Sequence, residues 1–130
     1  MQKDKMIDCP FWLGDKVLCR SFIQPSGFSF EIEDGDKCVL INSKTGYIAP
    51  EEVDEYAECA RFERVEKVFT GVFVGVTTKN TKLTAEYHDD EYCAPSFHCY
   101  TEAPKQFAVV YYANNKKRYV PLNDIEKVSG

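Results

Sequence analysis

The chain has 130 residues, 44% hydrophobic and 14% aromatic, which is enough for a packed core and too apolar for a disordered segment. Sixteen Lys and Arg against 21 Asp and Glu give a net charge of −5, which argues against a dedicated nucleic-acid binder with a basic footprint. The start lacks the apolar stretch of a signal peptide, and no run approaches the about 18 apolar residues of a membrane helix.

The expectation is therefore a single cytoplasmic domain, residues 1–130, with its six cysteines reduced. Cys19 and Cys38 sit in apolar strand-like runs and Cys59 in a helix-like one, where a free Cys acts as a small hydrophobe. A disulfide-stapled extracellular domain is the alternative reading of the even cysteine count.

Phe11, Trp12 and Leu13 precede Gly14-Asp15, a turn, and either plug one end of the fold or form an exposed contact patch. From Lys16 to Ile23 the chain alternates as a strand, with Val17, Cys19 and Ser21 on one face and Leu18, Arg20 and Phe22 on the other. Pro25-Ser26-Gly27 breaks it. Phe28, Phe30 and Ile32 then alternate with Ser29, Glu31 and Glu33, the pattern of a half-buried strand. Asp34-Gly35 signals a hairpin into a strand over 37–42.

Pro50 opens a different pattern. Pro at a first helical position, acids in the first turn, and Val53, Tyr56, Ala57 and Ala60 at i, i+3, i+4 and i+7 predict one amphipathic helix over 50–62 with a solvated acidic face. From Lys67 the chain is strand-like again. Val68, Val72, Val74 and Val76 share one face and Phe69 and Phe73 the other, while Gly71 and Gly75 mark bends in a curved sheet. A turn is expected at 78–80, then a strand with Leu83, Ala85 and Tyr87 inward. A long loop is expected from His88 to about Pro104. Strands at 105–113 and 116–122 follow, joined by a tight turn at Asn114-Asn115.

Tyr47–Val53 and Tyr119–Ile125 echo each other by residue type. The echo suggests either two related β sub-units, 14–62 and 67–130, or one barrel whose corner is built twice. The run "KTGYIAPEEV" resembles the last hairpin and short 3₁₀ turn of SH3 domains, and "RYVPLNDI" is similar. "GDKV" before a first strand is common in SH3-like and Tudor-like barrels. The resemblance implies a small curved β-barrel. It does not extend to the paired tryptophans of a Pro-rich-peptide groove, because Trp12 lies ahead of the first strand. The chain also has the general look of small proteins of phages and mobile elements of gut bacteria. Together these readings predict a mainly β protein, a curved antiparallel sheet or small barrel with one short helix.

Two regions are chemically distinctive. His88, Cys93, His98 and Cys99 provide four zinc-ligand types within twelve residues, but with gaps of four, four and no intervening residues rather than the close pairs of a knuckle. No cofactor is expected; zinc at this quartet is the alternative. Cys93 beside a His could form a thiol–imidazole pair, yet nothing in the sequence marks it as activated. No phosphate-binding loop, dinucleotide fingerprint or nucleophile elbow is present, so a non-enzymatic protein is expected.

The second region, "YYANNKKRY", sets Tyr111, Tyr112 and Tyr119 beside Lys116, Lys117 and Arg118 on one hairpin. With Trp12, these residues form the candidate partner-binding set of a small binding or adaptor protein. A protein partner ranks first and a nucleic acid second. Oligomeric state is not readable. Reversing Lys116 and Arg118 to Glu is expected to leave the fold intact.

Overall fold

The structure is a computed structural model and describes residues 11–92 and 94–128. It is mainly β: β1 (Lys16–Pro25), β2 (Phe28–Glu33), β3 (Lys37–Asn42), β4 (Tyr56–Ala60), β5 (Phe62–His88), β6 (Ser96–Ala113), β7 (Lys116–Pro121), a 3₁₀ turn (Leu122–Asp124) and β8 (Ile125–Lys127). Among the described residues no helix is long and apolar enough to cross a membrane. The chain divides into two compact units, each assembled from separated stretches. The first comprises residues 1–24, 64–79 and 105–130, and the second 25–63 and 80–104. β5 and β6 contribute to both.

In the first unit the strand order is β5-β6-β7-β1-β8, and β5 pairs again with β1, so the order returns on itself. Gly14 N–H donates to the Phe73 carbonyl and Phe73 N–H to that of Asp15, both at 2.8 Å. The alternation expected in β1 holds for Val17, Cys19 and Ser21, which are fully buried, but breaks at Phe22, which was expected on the opposite face and is buried too. They join Phe22, Phe73, Ala108, Val110, Val120 and Ile125 in or beside one core. β6 and β7 pair through the Asn114-Asn115 turn, with Asn115 at φ 58° as the tight turn requires. The 3₁₀ turn leads into β8, which pairs with β1 through Cys19↔Ile125.

In β5 it is Phe69 and Phe73, with Val65, that face this core, leaving Val68 and Val72 exposed. The inward set then changes parity to Val76. Gly75 lies between, at φ 154°, a backbone state other residues rarely adopt.

The second unit has its own core, Cys38, Ala85 and Phe97 with Phe30, Val53 and Tyr87 against it. β2 and β3 pair in register from Phe28↔Asn42 to Glu33↔Lys37 around Asp34 (φ 57°) and Gly35 (φ 77°). Phe28 and Ile32 remain over a third exposed, so this hairpin is less covered than its alternation suggests.

Three expectations are corrected. The helix over 50–62 does not form. Residues 56–60 are strand β4, paired with β5 from Tyr56↔Glu86 to Ala60↔Lys82, and Val53 N–H donates to the Cys38 carbonyl at 2.7 Å. A lone three-turn helix is marginal in water. Tyr56, Glu58 and Ala60 also alternate with Ala57 and Cys59, so the run fits a strand once an edge is offered. Glu58 then bonds Lys82 at 3.0 Å across that edge.

Second, no turn interrupts 78–80, and β5 runs unbroken through it. The Asn80 side chain donates to Thr101 Oγ1 at 2.9 Å instead of closing a local turn. Third, the loop expected from His88 to about Pro104 ends earlier, because β6 already begins at Ser96. Within β6, Ala103 has a positive φ of 61°. Of the two echoed segments, Tyr119–Ile125 makes the 3₁₀ turn. In Tyr47–Val53, Ile48 instead bridges to Ile41 in an extended run.

Candidate functional site

The hairpin residues singled out in sequence divide between two faces because β7 alternates. Arg118 shares the inward parity of Val120, which is fully buried. Its guanidinium lies 3.9 Å from the Tyr112 ring centroid, 4.2 Å from that of Phe22 and 4.8 Å from that of Phe69. Phe69 meets Phe22 and Tyr112 edge-on, both at 6.1 Å. Arg118 and Tyr112 thus cap the core of the first unit, and Arg118 is a packing residue more than an exposed cation.

The outward parity carries Lys117 and Tyr119, with Tyr111 directly opposite Lys117 and diagonal to Tyr119. Lys79 of β5 places its ammonium 4.2 Å from the Tyr119 ring, and Lys117 places its own 5.7 Å away. Sequence reasoning missed Lys79 because it assigned that residue to a turn. Beside this face runs an open groove of about 530 Å³, lined by Lys16, Thr70, Gly71, Val72, Tyr111, Tyr112, Ala113 and Asn114. Tyr111 is 41% exposed.

Trp12 stands on the separate turn 12–15, where its N–H donates to Asp15 Oδ2 at 2.9 Å. It is 76% exposed. Its neighbour Phe11 packs inward, 5.6 Å from Phe73. The Phe-Trp-Leu run therefore both plugs the core and leaves an exposed aromatic.

The electrostatic setting differs sharply between units. Among the described residues the first unit carries ten Lys and Arg against four Asp and Glu, net +6, and the second four against fifteen, net −11. Each of the four described acids of the first unit faces a cation. Asp15 faces Lys127 at 3.8 Å, and Glu126 faces Arg20 at 2.5 Å. Glu66 and Asp124 face Arg64 at 3.7 and 3.0 Å. Lys16, Lys116 and Lys117 gather at the hairpin and its groove.

The His-Cys stretch also separates. His88 and His98 pack edge to face with ring centroids 4.5 Å apart. His98 Nε2 lies 3.1 Å from Ser96 Oγ, and His88 Nε2 3.7 Å from Glu86 Oε1. Cys99, one residue on in β6, takes the opposite parity, with Phe97, and interacts with the Cys38 thiol. Burial pushes the Cys99 thiol up, opposed by that contact. Cys93 lies outside the described residues. Among those described, no group of three or more His, Cys, Asp or Glu is placed to hold a metal ion.

Comparison with protein-family models, with curated proteins and with solved structures finds no match to this chain.

Proposed function

We propose that this is a small, cytoplasmic, non-enzymatic binding or adaptor protein that holds an anionic partner on the outward face of the β6–β7 hairpin. The observation that carries the reading is the Lys79–Tyr119–Lys117 arrangement beside exposed Tyr111, on a unit whose described residues carry a net +6. A unit with an excess of cations attracts anions and steers their approach. The sequence ranked a protein partner first; the segregated charge favours any partner presenting a run of negative charge, whether an acidic protein segment or a nucleic acid.

The test is retention of the full chain on a sulfated-polysaccharide column at low salt. With a net charge of −5, evenly mixed charge would pass through. The reading expects retention, and earlier elution of the Lys116→Gln, Lys117→Gln double variant. Flow-through of the unaltered protein would refute it.

A further inference from the structure

We infer that the anion held on this face is a single-stranded polynucleotide, an inference that rests on the binding reading above and narrows it. An acidic peptide needs only the cations. The hairpin offers flat aromatic surface among them. Tyr119 sets two ammonium groups beside its ring, Lys79 at 4.2 Å and Lys117 at 5.7 Å. Tyr111, across from Lys117 and diagonal to Tyr119, remains exposed as a platform. Tyr112, exposed to a similar degree at 37%, carries the Arg118 guanidinium over its ring at 3.9 Å.

Along the outward face towards the tip the order is Tyr119, then Tyr111 with Lys117; Lys116, opposite Ala113 and of Arg118's parity, is exposed next to the tip, and Lys16 lines the adjoining groove. Cations and rings alternate along this line, as they do where a sugar–phosphate backbone is tracked and bases stack beside it. Gly71 lines the groove, and a Cβ there would meet Val110 Cγ1 at 2.4 Å and the Tyr111 carbonyl oxygen at 2.6 Å. In a duplex the base faces are covered by their neighbours, so only a single strand offers one to the Tyr111 ring.

Fluorescence anisotropy with labelled oligothymidylate and oligouridylate of about ten nucleotides, within the usual site size, tests this. A duplex of equal charge and a polyglutamate peptide serve as competitors. Single strands are expected to bind at least tenfold more tightly than either competitor. The affinity should fall with salt at a log–log slope of about −3, for four phosphate contacts by Lys16, Lys79, Lys116 and Lys117. Lys117→Gln should reduce that slope by about 0.7. Tyr111→Ala should weaken binding about 5- to 150-fold with the slope unchanged, and Tyr111→Phe should restore it. Preference between the two oligonucleotides identifies the sugar. Equal or tighter binding of polyglutamate or duplex overturns the inference while leaving the anion reading standing. So does a Tyr111→Ala protein, folded by circular dichroism, that binds as before. If the chain instead self-associates through Lys117 and ignores oligonucleotides, the face belongs to a second copy's acidic unit. Failure to bind any polyanion overturns both readings.

Discussion

The Arg118 guanidinium lies over the Tyr112 ring at 3.9 Å and reaches Phe22 and Phe69 from the same position. Three rings from β1, β5 and β6 thus converge on one cation from β7. Cation–π contact of this kind is worth about 1 kcal/mol when half exposed and about 2 when desolvated, and the side chain's stem adds packing. Arg118→Ala should lower stability to chemical denaturation by about 1–2 kcal/mol, and Arg118→Lys by less, since Lys keeps charge without the plane. An unchanged denaturation midpoint for Arg118→Ala would contradict this. Charge reversal at Arg118 is therefore a poor probe of binding, and Lys116 and Lys117 are the residues to change.

Gly71 of β5 sits hard against β6. A Cβ there would lie 2.4 Å from Val110 Cγ1 and 2.6 Å from the Tyr111 carbonyl oxygen. The backbone oxygen cannot rotate away, so Gly71→Ala forces the strands apart. A loss of about 1–3 kcal/mol is expected, read as a lower thermal midpoint. A variant as stable as the parent would show that this approach is not tight.

Asp124 ties together three parts of the first unit. Ser21 Oγ of β1 donates to its Oδ2 at 2.5 Å and Arg64 Nε of β5 at 3.0 Å. The Ser21 hydrogen bond, then Arg64, holds the carboxyl below its ordinary value of 3.8. A depressed carboxylate contributes stability that is present above the unfolded value and lost as pH falls through the native one. Asp124→Asn should therefore flatten the decline of stability below about pH 4. Asp124→Ala should cost about 1–3 kcal/mol at neutral pH, because Ser21 is fully buried and loses its acceptor. An acid limb identical in Asp124→Asn and the parent would refute the assignment.

The buried thiols make an alkaline counterpart. Burial pushes Cys19 up to about 11 from 9.0, with Arg118 opposing. Burial, then the Cys99 thiol, does the same for Cys38. A thiol raised on folding keeps its proton longer in the native state. Its contribution is complete below pH 9.0 and is lost as pH climbs towards about 11. At pH 8, exposed Cys99 should react with a thiol reagent in the folded protein, while Cys19 and Cys38 should wait for denaturant. Prompt labelling of Cys38 without denaturant would contradict its burial.

What was legible in the sequence was local. Asp34, Gly35 and Asn115 carry the positive φ that a tight hairpin demands, and only a few residue types accept it. Val17, Cys19 and Ser21 alternate because one face of β1 meets the core. What was illegible depended on partners far along the chain. Residues 50–62 have a helix's local signals, and β4 forms because residues 82–86 present an edge to it.

The candidate face was half legible. Tyr111, Lys117 and Tyr119 were named from one hairpin, but Arg118 was grouped with them although β7's alternation sets it with Val120. Lys79 was hidden in an expected turn. The bulk charge of −5 concealed the most informative feature. The two units interleave along the chain, so a basic unit and an acidic one average to a mildly acidic sequence.

The central claim is that the outward hairpin face of the basic unit is the binding surface. Amide chemical-shift mapping of the full, isotope-labelled chain titrated with oligothymidylate tests it most directly. The account predicts dose-dependent shifts centred on Tyr111, Lys116, Lys117, Tyr119 and Lys79, with the β2–β3 hairpin and β4 unmoved. Shifts centred on those acidic elements, or none at concentrations saturating in anisotropy, would contradict it.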